Sequence, residues 1–142
     1  MTPLLALALV QTAMPGPPPP TDWSSLPLIY MNRPSTVTPD DTSAILRIVQ
    51  QSPGCRAGIG PMPTPAEAGD PRMRMEGLRI QFIILVAPDG RFLNILAAPG
   101  ACDAVRNYGR AIVNGRMRGR VRPPAGPEPA WYRTSLGFTW EP

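Results

Sequence analysis

The sequence contains no histidine and no lysine, so all 14 basic residues are arginine. Without an imidazole the chain has no general base, nucleophile or metal ligand of that type, and without a lysine it forms no Schiff base. Serine hydrolases with a histidine base, zinc sites built on histidine and pyridoxal phosphate enzymes are thereby excluded. The ten acidic residues are scattered, and no nucleophile elbow or glycine-rich phosphate loop occurs. We therefore expect a non-enzymatic protein with no cofactor and no metal.

Cysteine is also scarce, since the only two are Cys55 and Cys102. Their spacing matches no redox or metal-binding motif. A disulfide between them would persist only in an oxidising compartment. The alternative is a pair of buried free thiols in a cytosolic protein. We expect a Cys55–Cys102 disulfide in an exported chain.

Long hydrophobic runs are missing as well. Residues 1–10 are rich in leucine and alanine, but a membrane-spanning helix needs about 20 apolar residues. The run has the length of a signal-peptide core, although the usual basic residue before it is absent. We interpret residues 1–13 as a signal or apolar leader, the alternative being a buried or frayed N-terminal segment. This interpretation predicts a periplasmic or secreted protein with no transmembrane segment.

Proline, by contrast, is abundant and unevenly distributed. Of 21 prolines, 14 lie in residues 1–76, and residues 77–122 contain only two. Proline lacks the N–H that helices and central strands require. We therefore predict a proline-rich spacer and extended segment over residues 14–37, followed by a single domain over residues 38–142 whose core spans residues 77–140.

A helix begins after Thr38, a residue type that caps helix N-termini. Pro39 suits the first helical position, and Asp40 and Asp41 place negative charge at the positive end of the helix dipole. The helix would end just before Cys55. We expect it to pack against the core and to position that cysteine.

From residue 78 the hydrophobic pattern changes to the two-residue period of a strand, which continues to residue 86. Pro88, Asp89 and Gly90 then favour a tight turn. Residues 91–98 return as an antiparallel partner.

A second helix is predicted over residues 101–114, with Asp103, Arg106, Asn107, Arg110 and Asn114 on its polar side. Gly109 weakens this helix by about 1 kcal/mol relative to alanine, which predicts a close approach to the sheet. Residues 131–140 alternate as a last, aromatic strand. The predicted fold is α+β: a β-β-α-β core in which a helix backs a three-stranded antiparallel sheet, with an additional N-terminal helix.

This order, with the Asp89-Gly90 turn and the closing aromatic strand, resembles the C-terminal domain of the TonB energy-transducer family over residues 77–140. It is also similar to small exported proteins of GC-rich proteobacteria in which a cysteine, here Cys102, opens the helix and Trp131-Tyr132-Arg133 begins the last strand. The family resemblance implies a sheet edge that captures an extended peptide of an outer-membrane receptor. Proteins of that family also have a membrane-spanning anchor and a long proline-rich segment, where this sequence has ten apolar-rich residues and a short proline-rich spacer. We therefore expect this chain to share the family's scaffold and peptide-binding edge, but not its transmission of force from the inner membrane.

Arginine recurs at every second position after the second helix, at Arg116, Arg118, Arg120 and Arg122. We name these four residues the arginine stripe. In an extended chain all four guanidinium groups would project from one face and bind anions such as phosphate, lipid headgroups or nucleic acid. The alternative is a charged strand edge that prevents aggregation.

Charge is unevenly divided along the chain: residues 1–69 carry a net charge of −1 and residues 70–142 of +5. Nucleic acid is an improbable ligand, because the stripe has no aromatic side chains among its arginines on which bases would stack. Trp131 and Tyr132 are the nearest candidates for a ligand platform, the alternative being that they pack in the sheet. The sequence thus predicts a periplasmic binding module for a protein or peptide partner. The alternative is anion binding through the stripe, including contact with an anionic membrane surface.

Overall fold

The computed structural model describes residues 16–29, 37–56, 58–62, 75–119 and 121–141, so the predicted leader over residues 1–13 lies outside it. Within these ranges the chain forms two helices and four strands, which confirms the α+β class. In chain order they are α1 (Pro39–Gln51), β1 (Gly60–Met62), β2 (Met75–Val86), β3 (Phe92–Ala97), α2 (Asp103–Arg116) and β4 (Ala130–Trp140). Two short 3-10 turns precede and follow α1, at Trp23–Ser25 and Pro53–Cys55.

The sheet is antiparallel, with β2 at its centre. β4 pairs with β2 along nearly its whole length, from Glu76↔Trp140 to Val86↔Ala130. On the other side of β2, β1 pairs near one end and β3 near the other. The predicted β-β-α-β core is confirmed as β2, β3, α2 and β4, and the described part of the chain adds a fourth strand, β1, that was not predicted. The extra strand is very short and carries Pro61 at the sheet edge, where proline costs no ladder hydrogen bond.

The turn between β2 and β3 forms as predicted. The Gly90 N–H donates to the Ala87 carbonyl at 2.8 Å, and Gly90 has a φ of 89°, which favours glycine. The Asp89 carboxylate accepts from the Arg91 N–H at 3.0 Å. This turn sets the register in which β3 returns along β2.

Both helices cover one face of the sheet, where Phe82, Phe138 and Val113 form the centre of the main core with no exposed surface. Gly109 of α2 lies directly on this face, as predicted. A methyl group there would be 2.7 Å from Cζ of Phe82, which is closer than packed carbon atoms approach. Only a residue without a side chain lets α2 lie this near the sheet.

A disulfide joins Cys55 to Cys102, with their Cα atoms 4.9 Å apart, as predicted. Cys55 follows α1 and Cys102 is the N-cap residue of α2. The bond therefore ties the end of one helix to the start of the other.

The opposite face of the sheet is covered by residues 16–29, which we name the N-terminal arm. Trp23 and Leu26 pack against the buried side chains of Ile83, Leu85 and Trp131. The sequence interpretation placed these residues in a spacer outside the domain, but they pack against the sheet. The physical reason is that the apolar end of this face would otherwise be exposed to water.

The arm also reaches the outer edge of β4. The Ile29 N–H donates to the Arg133 carbonyl, and the Arg133 N–H donates to the Pro27 carbonyl, both at 2.9 Å. Leu28 thus forms a parallel bridge with Arg133. The arm occupies this edge at one position of β4.

Candidate functional site

The first arginine of the predicted stripe, Arg116, is bound within the protein. It is the last residue of α2, and its guanidinium forms an ion pair with Asp41 of α1. One terminal nitrogen donates to Oδ1 of Asp41 at 2.9 Å, and the other donates to Oδ2. The ion pair joins the start of α1 to the end of α2. Its carboxylate is buried, since Asp41 is only 2% exposed.

Asp41 also accepts hydrogen bonds from its own helix and from Tyr108. The Thr38 N–H and hydroxyl donate to Oδ2 at 2.8 and 2.9 Å, and the Tyr108 hydroxyl donates to Oδ1 at 3.0 Å. The Arg116 guanidinium is the main cause that holds the pKa of Asp41 well below its usual range. Burial, and then the Asp41 carboxylate, raise the pKa of Tyr108. The Arg116 guanidinium and the hydroxyl groups of Thr38 and Tyr108 thus all donate hydrogen bonds to the Asp41 carboxylate. The network therefore stabilises the packing of α1 against α2.

The described residues after Arg116 turn instead of forming an extended strand, which corrects the expected geometry. Met117 is fully buried in the main core, and Gly119 has a φ of 74°, so the chain turns where the stripe was expected to run straight. Arg118 is exposed and donates to Asn114 at 3.1 Å. Arg122 is exposed, and Arg120 lies outside the described residues. The expected single face of four guanidinium groups was wrong, because the first belongs to a helix.

Trp131 and Tyr132 occupy packing positions. Trp131 is 6% exposed, and its indole N–H donates to the Pro17 carbonyl of the arm at 2.8 Å. Tyr132 is half-buried against the core on the helix side. Their two rings lie on opposite faces of β4 and offer no common platform, so the geometry favours the packing alternative.

The outer edge of β3 is a different candidate. Within the described ranges β3 pairs only with β2. The Ala98 N–H donates inward to Gln81, and successive residues of a strand direct their backbone groups to alternate edges. The backbone N–H and C=O groups of Ile95 and Ala97 therefore point outward.

A groove of about 370 Å³ lies between this edge and α2. Hydrogen-bonding side chains dominate its lining, which consists of Asn94, Ile95, Asn107, Arg110, Ala111 and Asn114. The polar side of α2 was recognisable in the sequence, because Asn107, Arg110 and Asn114 recur at helical spacing. Its position beside a strand edge depends on the order of the strands in the sheet.

Arg110 lines the groove and is hydrogen-bonded within it. One terminal nitrogen donates to Oδ1 of Asn107 at 3.1 Å. Its Nε is buried and has no hydrogen-bond partner among the described residues. Leaving a buried donor unpaired costs about 1–3 kcal/mol, so a further partner at this guanidinium would be favourable.

A metal-binding cluster and a membrane-spanning helix are both missing from the described residues. Within the described ranges no group of three or more cysteine and acidic residues lies close enough to hold a metal ion. No helix in the same ranges has the length and apolar character needed to cross a membrane.

Comparisons of the chain with protein-family models, with curated proteins and with solved structures found no match.

Proposed function

We propose that this protein is an exported, periplasmic, non-enzymatic binding module that captures an extended peptide along the outer edge of β3. The observation that carries the proposal is the edge itself. It has no partner strand in the described part of the chain, and it lies beside the groove against α2. The disulfide supports export, because such bonds persist in oxidising compartments.

Strand addition would divide recognition between backbone and side chains. The outward groups of Ile95 and Ala97 would pair with the peptide main chain, which gives affinity without sequence preference. Asn107, Arg110 and Asn114 line the facing wall and would select peptide side chains that accept hydrogen bonds. We therefore expect a peptide with an acidic or amide side chain toward α2.

The resemblance to the TonB family implies that a peptide binds at a sheet edge, but it does not specify which strand forms that edge. At β4 the arm already pairs with Arg133, so that edge is partly occupied by the chain itself. β3 is the strand whose outer edge borders a groove. The alternative, anion binding through the arginine stripe, is weakened because the guanidinium of Arg116 is committed to Asp41.

A matched pair of proline variants tests the proposal. Peptides selected from a random displayed library on the oxidised protein serve as the probe. Ala97→Pro removes one outward N–H from the β3 edge, a position where proline is tolerated. Thr139→Pro makes the equivalent change on β4, where Thr139 has the same outward parity as Arg133.

Ala97→Pro should weaken the selected peptides by about tenfold or more, consistent with the loss of a main-chain hydrogen bond and a steric block. Thr139→Pro should leave their affinity unchanged, and both variants should keep the parent far-UV circular dichroism spectrum. For selected peptides with an amide side chain toward α2, binding should be nearly independent of salt, because no charge pair contributes to it. Unchanged affinity in Ala97→Pro, or loss only in Thr139→Pro, would contradict capture at β3.

A further inference from the structure

A second recess lies on the sheet face opposite the helices, where the arm ends. We name it the sheet-face cleft, and its volume is about 300 Å³. Its lining includes both the arm and the polar half of that face: Trp23, Leu28, Arg79, Gln81, Arg133 and Ser135. It is separate from the β3 groove, with which it shares no lining residue.

The register of β2 with β4 brings two arginines to the same small area. Gln81 lies opposite Ser135, Arg79 opposite Gly137, and Arg133 opposite Ile83. The two arginines therefore lie on either side of the Gln81–Ser135 pair on one face. Arg79 is a diagonal neighbour of Ser135, and Arg133 is a diagonal neighbour of Gln81. Such neighbours are about 7–8 Å apart, so both long side chains can reach the central pair from opposite ends, and both line the cleft. Because Gly137 has no side chain, the space beside Arg79 stays open.

Among the described residues that line this cleft none is acidic. Asp22 is adjacent to this lining in the sequence, and its carboxylate accepts hydrogen bonds from the N–H and hydroxyl of Ser24. Arg79 is exposed and forms no ion pair or side-chain hydrogen bond with any other described residue. Arg133 uses its Nε–H to donate to the Leu26 carbonyl at 2.9 Å, which fixes the guanidinium against the arm. An arginine has five N–H donors, so this bond occupies one of them.

The other side of the cleft is apolar. The Trp23 indole N–H donates to the Pro20 carbonyl at 3.1 Å, so its ring is held in place. Leu28 is the exposed large hydrophobic residue of the described part of the chain, with 40% of its surface accessible to solvent. A ligand that suits this lining carries a negative charge at one end and an apolar group at the other.

We propose that the sheet-face cleft binds a carboxylate attached to an apolar group. The carboxylate would lie between the guanidinium groups of Arg79 and Arg133, with Gln81 and Ser135 as further donors. The apolar group would contact Trp23 and Leu28 in the arm. Guanidinium and carboxylate match as planar, two-pronged partners. The same chemistry is offered by a free small acid and by the C-terminus of a peptide ending in an apolar residue.

Calorimetry with 3-phenylpropionate on the oxidised protein tests the inference, with 3-phenylpropionamide as the uncharged counterpart. The acid should bind at least about tenfold more tightly than the amide, because only the acid pairs with the guanidinium groups. Acetyl-Ala-Ala-Phe with a free C-terminus, compared with its C-terminal amide, separates the two sources. Tighter binding of the peptide acid than of phenylpropionate would identify a peptide terminus, and the reverse a small acid.

Arg79→Gln should weaken the preferred acid by about tenfold without affecting folding, since Arg79 is exposed. Arg47→Gln on the exposed side of α1 removes the same charge elsewhere and should have no effect. Ala97→Pro should also leave acid binding unchanged, so that failure of this site is distinguishable from failure of the β3 edge.

Three results would overturn the inference. They are equal binding of acid and amide, equal losses in Arg79→Gln and Arg47→Gln, and phosphate binding as tight as that of the acid. The absence of binding by either acid at millimolar concentration would overturn it as well.

Discussion

Replacing Arg116 with methionine should destabilise the protein substantially. The change keeps much of the aliphatic length of the side chain but removes the guanidinium that pairs with Asp41. Asp41, at 2% exposure, would then be a buried carboxylate without a cation. Its remaining hydrogen bonds come from Thr38 and Tyr108.

The expected loss is about 2–3 kcal/mol. Removing one partner of a fully buried ion pair costs about 3–5 kcal/mol, because the other charge is left uncompensated. The Arg116 side chain is 37% exposed, so water can reach part of the space it leaves and lower the cost. For a chain of this size the midpoint temperature should fall by about 6–12 °C.

Urea unfolding of the oxidised protein, followed by tryptophan fluorescence, measures this loss. Arg118→Met is the matched control, because Arg118 is exposed and bonds only to Asn114 among the described residues, and it should change stability by less than about 0.5 kcal/mol. In an Asp41→Asn background, Arg116→Met should cost clearly less, since the charge it compensates is gone. If Arg116→Met is as stable as Arg118→Met, the network does not hold the helices together and Arg116 is available for a ligand.

Three further predictions concern the same core. Gly109→Ala should destabilise by about 1–3 kcal/mol in thermal unfolding despite the higher helix propensity of alanine, because the added methyl group meets Phe82; a gain in stability would contradict the close approach. Reducing the Cys55–Cys102 bond should lower stability by about 4 kcal/mol, measured by urea unfolding with and without reductant, because the bond closes a long loop. The contribution of Asp41 to stability should be constant above its unfolded-state pKa, near 3.9, and should fall as the pH drops below that value, because the folded state holds that pKa lower; urea unfolding between about pH 2 and 6 should show this acid dependence, and Asp41→Asn should reduce it.

Local features of the fold could be predicted from the sequence because short-range chemistry determines them. Thr38 forms a capping box with Asp41, Asp89 and Gly90 form the turn, and Gly109 marks the contact between helix and sheet. Each signal depends on residues within a few positions of one another. The predicted strand and helix ends were therefore close to the observed ones.

Long-range partners could not be predicted in the same way. Arg116 lies 75 residues from Asp41, and nothing in the sequence around either residue indicates that they meet. The alternating arginines favoured an extended stripe, but burial of Met117 decided the local conformation. Likewise, the prolines of the arm favoured a spacer, but Trp23 and Leu26 pack against the sheet.

Neither candidate site could be located from the sequence, because both depend on the order of strands. The polar side of α2 was evident, but the groove requires β3 to be an edge strand and β2 to be central. The register of β2 with β4 places Arg79 and Arg133 on one face, at opposite ends of the Gln81–Ser135 pair.

The pairing of the chain's beginning with its end has a consequence for how the protein is made. Pro17 and Leu26 contact side chains of β4 that lie 114 and 107 residues later in the chain. β4 follows the other described helices and strands in the chain, so the arm lacks Trp131 as a packing partner, and β2 lacks its long partner, until β4 has been synthesised. Such distant pairing slows folding. The sheet therefore cannot be completed during synthesis until β4 has emerged and can pair with both β2 and the arm.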